Sequence, residues 1–170
     1  GCPLRCVYCD TAYAFQGGEI RELDEILTQV AGYRASYVTV SGGEPLAQKN
    51  CLPLLIRLCD AGYQVSLETS GALSIAGVDP RVVTVMDWKT PTSGEMDRNL
   101  YENADRLRPH DQVKFVLCDR QDYEWAKFKI KEYNLPERVA DVLFSPVYKH
   151  LEAQDLANWI LEDRLPVRLQ

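Results

Sequence analysis

Histidine and methionine are scarce in this sequence, at two residues each in 170, and positive charge is in deficit, with 19 Lys and Arg against 25 Asp and Glu. The deficit leaves a net charge of −6 and no basic stripe to displace counterions from a phosphate backbone. A protein that tracks nucleic acid is thereby excluded, and a small-molecule substrate is expected. No apolar run approaches the length of a membrane span, and the opening residues lack the features of a secretory signal. The expected location is the cytoplasm, with no membrane partner. Internal repeats, low-complexity tracts and linkers are also missing, which predicts one domain over residues 1–170. Six cysteines are too few and too unevenly spread for a disulfide scaffold, so thiols or metal ligands are expected instead.

What the sequence does contain is an alternation of helical and strand-like segments. Leu23, Ile26, Leu27 and Val30 recur at helical spacing after RELDE, which predicts an amphipathic helix over about 21–31 that ends near Gly32. Further helices are predicted over about 52–61, with Gly62 as the stop, and over about 121–133 and 153–162. YVTV, QVSLE, VVTVMDW, QVKFVL and VLFS read as strands, and VRLQ as a strand just beginning. These strands look like continuous apolar runs, the pattern of a parallel sheet covered by helices, so an α/β fold is expected. The alternation is incomplete. ETSGALSIAGVDPR is too rich in Gly, Pro and small residues for a crossover helix, and residues 90–110 have room for a short helix at most. With Gly1 at one end and VRLQ at the other, both ends of the chain read as cut.

Polar residues collect where the apolar strands stop: Ser41-Gly42-Gly43-Glu44, Glu68-Thr69-Ser70-Gly71, Asp87-Trp88-Lys89 and Ser145-Pro146. Ligands of parallel α/β folds bind at the carboxyl ends of the strands, so these segments are expected to share one active-site face.

The opening segment GCPLRCVYCDTAY places Cys2, Cys6 and Cys9 within eight residues. A structural zinc site takes four ligands, and here only His110, His150 and the distant Cys51, Cys59 and Cys118 could complete one. A four-iron cluster held by three thiolates instead keeps one iron free for a substrate or cofactor.

The spacing Cys2-x3-Cys6-x2-Cys9, with Tyr8 before the third cysteine and GGEP about thirty residues later, resembles the radical S-adenosylmethionine superfamily. Within it, Cys9-Asp10-Thr11, SGGEP, ETSG and the short core resemble the 7-carboxy-7-deazaguanine synthase family over essentially the whole chain. The resemblance implies a reduced (β/α) barrel, truncated at both ends, with a [4Fe-4S] cluster, S-adenosylmethionine and Mg2+ as cofactors. It implies a radical ring contraction of 6-carboxy-5,6,7,8-tetrahydropterin to 7-carboxy-7-deazaguanine with loss of ammonia, in queuosine and deazapurine biosynthesis. A flavodoxin or ferredoxin electron donor and a homodimer are implied as partners.

Residue by residue, the resemblance assigns Cys2, Cys6 and Cys9 to the cluster. Tyr8, Cys9, Asp10, Gly43 and Glu44 go to S-adenosylmethionine, the Glu44 carboxylate facing the ammonium of its methionine moiety. Thr11 is assigned to Mg2+, and Ser41 and Glu68 to the substrate. Asp87 and Lys89 match a segment that touches S-adenosylmethionine, although the family's Ser-Pro-Lys is Met-Asp-Trp-Lys here and only Lys89 matches outright. The family's first strand and its C-terminal closing segment fall outside the sequence. Two rival readings are an activating enzyme that places a glycyl radical on a partner protein and a non-catalytic, zinc-stabilised domain. The remaining cysteines and Trp88, Trp125 and Trp159 are expected in packing roles, and His110 and His150 in solvated loops.

Overall fold

A computed structural model describes residues 1–170. Six strands, β1 (Tyr37–Val40), β2 (Gln64–Thr69), β3 (Val83–Trp88), β4 (Gln112–Leu117), β5 (Asp141–Pro146) and β6 (Arg168–Leu169), form one sheet in chain order, and every pair is parallel. β1 and β6 do not pair, so the sheet is open.

Four helices accompany it: α1 (Leu23–Gly32), α2 (Cys51–Asp60), α3 (Arg120–Glu132) and α4 (Ala153–Asp163). α1 begins in a capping box in which Glu22 and Glu25 exchange bonds with each other's backbone N–H. α2 stops where Gly62 takes a positive φ of 89°, a conformation only glycine adopts freely. The Asp119 carboxylate caps α3 by accepting from Asp122 N at 2.9 Å. No helix crosses between β2 and β3, and between β3 and β4 there are only short 3-10 turns, the first over Pro91–Ser93. No helix is long and apolar enough to cross a membrane.

The strands alternate where the sequence reading expected continuous apolar runs. One face carries Val65 and Leu67 of β2, Met86 and Trp88 of β3, Val113, Phe115 and Leu117 of β4, and Val142 and Phe144 of β5, all buried. These side chains pack in two clusters: the larger against Tyr123, Ala126 and Ile130 of α3 and Leu156 and Ile160 of α4, the smaller against Leu55 and Leu58 of α2. The other face holds Ser66, Glu68, Asp87, Gln112, Lys114 and Ser145, which are half-buried. Helices cover one side only, and period-two alternation sends the polar half of each strand to the side they leave open.

Candidate active site

The open face leads to a cavity of about 740 Å³ at the carboxyl ends of the strands. Its roof is the N-terminal loop. Val7 N donates to Ser93 O at 3.0 Å and Arg5 N to Glu95 Oε1 at 2.6 Å, tying the loop to the connection after β3. The Arg5 guanidinium donates to the carbonyls of Cys2 and Leu4 and lies 4.3 Å over the Phe15 ring, which folds the loop upon itself. Leu4 is buried beneath. On the other side, Glu44 N donates to Gly1 O at 3.2 Å. Gly43 is required at that junction: its φ is +62°, and a Cβ would come within 2.7 Å of the Gly1 carbonyl oxygen.

Cys2, Cys6 and Cys9 all reach the cavity from this roof, as do Tyr8, Asp10 and Thr11. The Thr11 hydroxyl lies 3.6 Å from Cys9 Sγ, on the same rim. Ser41 and Gly43 enter from the end of β1, Glu68 from β2, and Asp87 and Lys89 from the end of β3. Eleven of the twelve candidate residues therefore meet in one cavity. Its floor also receives Lys114 and Val116 of β4, Ser145 of β5, and Tyr148 just beyond. Lys114 went unassigned in the sequence, though a charge in the middle of the apolar run QVKFVL marks it.

Glu44 is the exception. It is fully buried and absent from the cavity wall. Its Oε1 accepts from Leu46 N and Thr69 Oγ1 at 3.0 and 2.9 Å, and its Oε2 accepts from Ser70 N at 2.7 Å and from Ser70 Oγ. Four donors fill the acceptor capacity of a carboxylate, so none is left for a ligand's ammonium group. In this structure Glu44 ties the loop after β1 to the end of β2.

A second brace comes from the 3-10 segment after β3. Asn99 pairs with both backbone groups of Lys89 at 2.9 Å, and Asn103 holds the carbonyls of Gly71 and Leu73 and the N–H of Ile75. Both asparagines are buried. The connection that read as an irregular loop thus fixes the ends of β2 and β3.

Electrostatically the cavity is built around one ion pair, Lys89 Nζ to Asp87 Oδ2 at 2.7 Å. Burial works against the charge on Lys89, yet Asp87, Tyr8 and Cys6 together hold its pKa well above the usual lysine value. Burial lifts the Tyr8 hydroxyl, and Asp87 lifts it further. Burial also raises the Cys6 thiol against the opposing pull of Lys89. Bound iron would reverse that preference, because a coordinating thiol is deprotonated outright.

These residues fit an iron–sulfur cluster with a ligand on its open iron. Cys2, Cys6 and Cys9 come from one short loop and line one cavity, and three thiolates that each take a different iron leave the fourth iron open. Beside them the Tyr8 hydroxyl and Asp87 Oδ1 are buried without any hydrogen-bond partner, which leaves a donor and an acceptor for a polar ligand.

Residues 1–83 match the family model described as the Radical SAM superfamily. The chain is 42% identical to the 7-carboxy-7-deazaguanine synthase of Koribacter versatilis, over 99% of this chain and 80% of that protein. It is also 42% identical to the synthase of Chlorobaculum tepidum, over 100% of this chain and 78% of that one. The chain belongs to the 7-carboxy-7-deazaguanine synthase family. In fold it is similar to the crystal structure of Streptococcus suis SuiB bound to S-adenosylmethionine, with a TM-score of 0.70 and 15% identity. That match covers 99% of this chain and 44% of SuiB, so the chain spans less than half of that structure. Membership of the radical SAM superfamily brings with it a [4Fe-4S] cluster and S-adenosylmethionine.

The remaining sequence expectations fall on both sides of the sheet. Cys51, Cys59 and Cys118 are buried away from the cavity, and Trp88 lies in the larger cluster with Trp125 and Trp159 packed against it. His110 and His150 are exposed.

Proposed function

We propose that this chain carries out the reaction of its family: a radical ring contraction of 6-carboxy-5,6,7,8-tetrahydropterin to 7-carboxy-7-deazaguanine with loss of ammonia, in queuosine and deazapurine biosynthesis. The observation that carries the proposal is 42% identity to a named synthase across nearly the entire chain. A cavity roofed by three thiols and floored by polar strand residues supports it.

When bound, the cluster and S-adenosylmethionine supply a 5'-deoxyadenosyl radical that takes a hydrogen atom from the substrate. The protein's part is to hold the reactants and keep water and other quenchers away. Cys2, Cys6 and Cys9 hold the cluster. Tyr8, Asp10, Gly43, Asp87 and Lys89 hold S-adenosylmethionine, with Gly43 admitting close backbone approach. Lys89, charged and fixed by Asp87, suits a carboxylate. Ser41 and Glu68 contact the pterin. Thr11, an oxygen donor on the cavity rim, is the Mg2+ ligand in this reading, and the substrate carboxylate completes that site. Residues 1–170 act as one domain in the cytoplasm, as part of a homodimer, with a flavodoxin or ferredoxin as electron donor.

The test takes the full-length enzyme, reconstituted anaerobically and reduced, with S-adenosylmethionine, Mg2+ and the pterin, and reads products by mass spectrometry. Formation of 7-carboxy-7-deazaguanine is expected. Formation of 5'-deoxyadenosine without it would move the search to another substrate or to a protein partner.

A further inference from the structure

Two opposite charges on the cavity floor have no protein partner. Glu68 of β2 and Lys114 of β4 both line the cavity. Unlike Asp87 and Lys89, which pair at 2.7 Å, neither makes a hydrogen bond or an ion pair within the chain.

Strand register explains why they do not meet. Glu68 lies opposite Val85, whereas Lys114 lies opposite Asp87, so β3 stands between them. Their backbones are about two strand spacings apart across the sheet and two residues apart along it, roughly 12 Å. Asp87, the cross-strand neighbour of Lys114, is turned to Lys89 instead. The two unpaired groups still sense each other: burial raises the Glu68 carboxyl, Lys114 pulls it back, and Asp87 adds to the rise. Charges held apart on a half-buried floor are incompletely solvated. A ligand with an acceptor at one end and N–H donors at the other relieves both. A fused bicyclic pterin, with carbonyl and carboxylate oxygens and amino and ring N–H groups, has that character and that size.

The cavity holds two such pairs. Asp87 and Lys89 close on each other at 2.7 Å at the end of β3, whereas Glu68 and Lys114 line the same cavity from β2 and β4, on either side of β3, with no partner in the chain. The second pair is the one left free to take the two polar ends of a ligand lying across β3.

We propose that Lys114 is a substrate-binding residue and that, with Glu68, it grips the two polar ends of the pterin. This rests on the substrate reading given above. The experiment uses the full-length, cluster-reconstituted enzyme and measures KM for pterin and for S-adenosylmethionine separately, together with equilibrium binding of pterin alone. Lys114→Met is expected to raise the pterin KM and its dissociation constant about 10- to 100-fold, the loss typical of a charged hydrogen bond. Cluster absorption and the KM for S-adenosylmethionine should stay unchanged, and Lys114→Arg should recover part of the loss. An unchanged pterin KM, or a rise confined to S-adenosylmethionine, overturns the proposal while the substrate reading stands. Wild-type enzyme that neither binds nor converts the pterin overturns both. If Lys114→Met does not fold, Lys114→Gln carries the same measurements.

Discussion

The two faces of the sheet are made by the same strands and could hardly differ more. On the helix side, Phe115 touches Trp88, Trp125 and Phe144 edge to face at 5.8–6.1 Å between ring centroids, and the neighbouring positions are apolar and buried. One residue earlier, on the other side of β4, Lys114 faces an open cavity with no partner. The helix side is closed by apolar contacts within the fold, the Trp88 indole Nε1 being its one buried polar atom without a hydrogen-bond partner. The cavity side is unfinished: a split charge pair, an orphaned Tyr8 hydroxyl and an orphaned Asp87 oxygen. Stability resides on one side and ligand affinity on the other, and a substitution should act on one without the other.

The sharpest break of that division sets Cys6→Ala against Phe115→Ala. Removing the thiol should abolish the cluster's charge-transfer absorption and all product formation, with little change in the stability of the cluster-free protein. Removing the ring should cost about 3–5 kcal/mol of stability, while the molecules that still fold bind iron. Denaturant melts read beside iron content decide between these outcomes, and equal iron loss in both variants would show the separation to be wrong. Glu44 lies at the boundary between the two sides. Because its removal strands four donors, three of them buried, Glu44→Ala should destabilise by about 3 kcal/mol, far more than a surface change. Ligand affinity should then fall only as a consequence of the loosened loop, which thermal melts and S-adenosylmethionine titration of the same samples would reveal. The smallest effect is expected at Glu68. Its folded pKa is raised, so the charged form opposes folding at neutral pH, and the relative stability present at acid pH is lost as pH rises through the folded value. Glu68→Gln should accordingly stabilise the ligand-free protein slightly at pH 7. That gain should vanish below the ordinary carboxylate range, as melts at the two pH values would register.

Most of the fold was legible because long periodic segments announce themselves. The stretches QVSLE, QVKFVL and VLFS sit within or coincide with β2, β4 and β5, and all four helices lie within two residues of their expected bounds at either end. The site was legible to the extent that its chemistry is local. Three thiols on one loop, and polar groups at strand ends, converge whenever parallel strands share a direction. The bracing bonds of Glu44 were not legible because an acid beside two glycines looks the same whether it points out or in. Its partners Thr69 and Ser70 are twenty-five and twenty-six residues away, and spacing carries no record of that bond. Asn99 and Asn103 were passed over for the same reason: each works on backbone groups brought near only by folding.

The sequence by itself determined the α/β alternation, the three-thiol loop and the family, since these depend on side-chain type and short spacing. Only the tertiary structure decided which face of each strand is covered, which carboxylate is spent on holding a loop and which is left for a ligand. Those outcomes depend on register: a shift of one residue along β4 would exchange Lys114 for Phe115, burying a charge under the helices and turning the core toward the cavity.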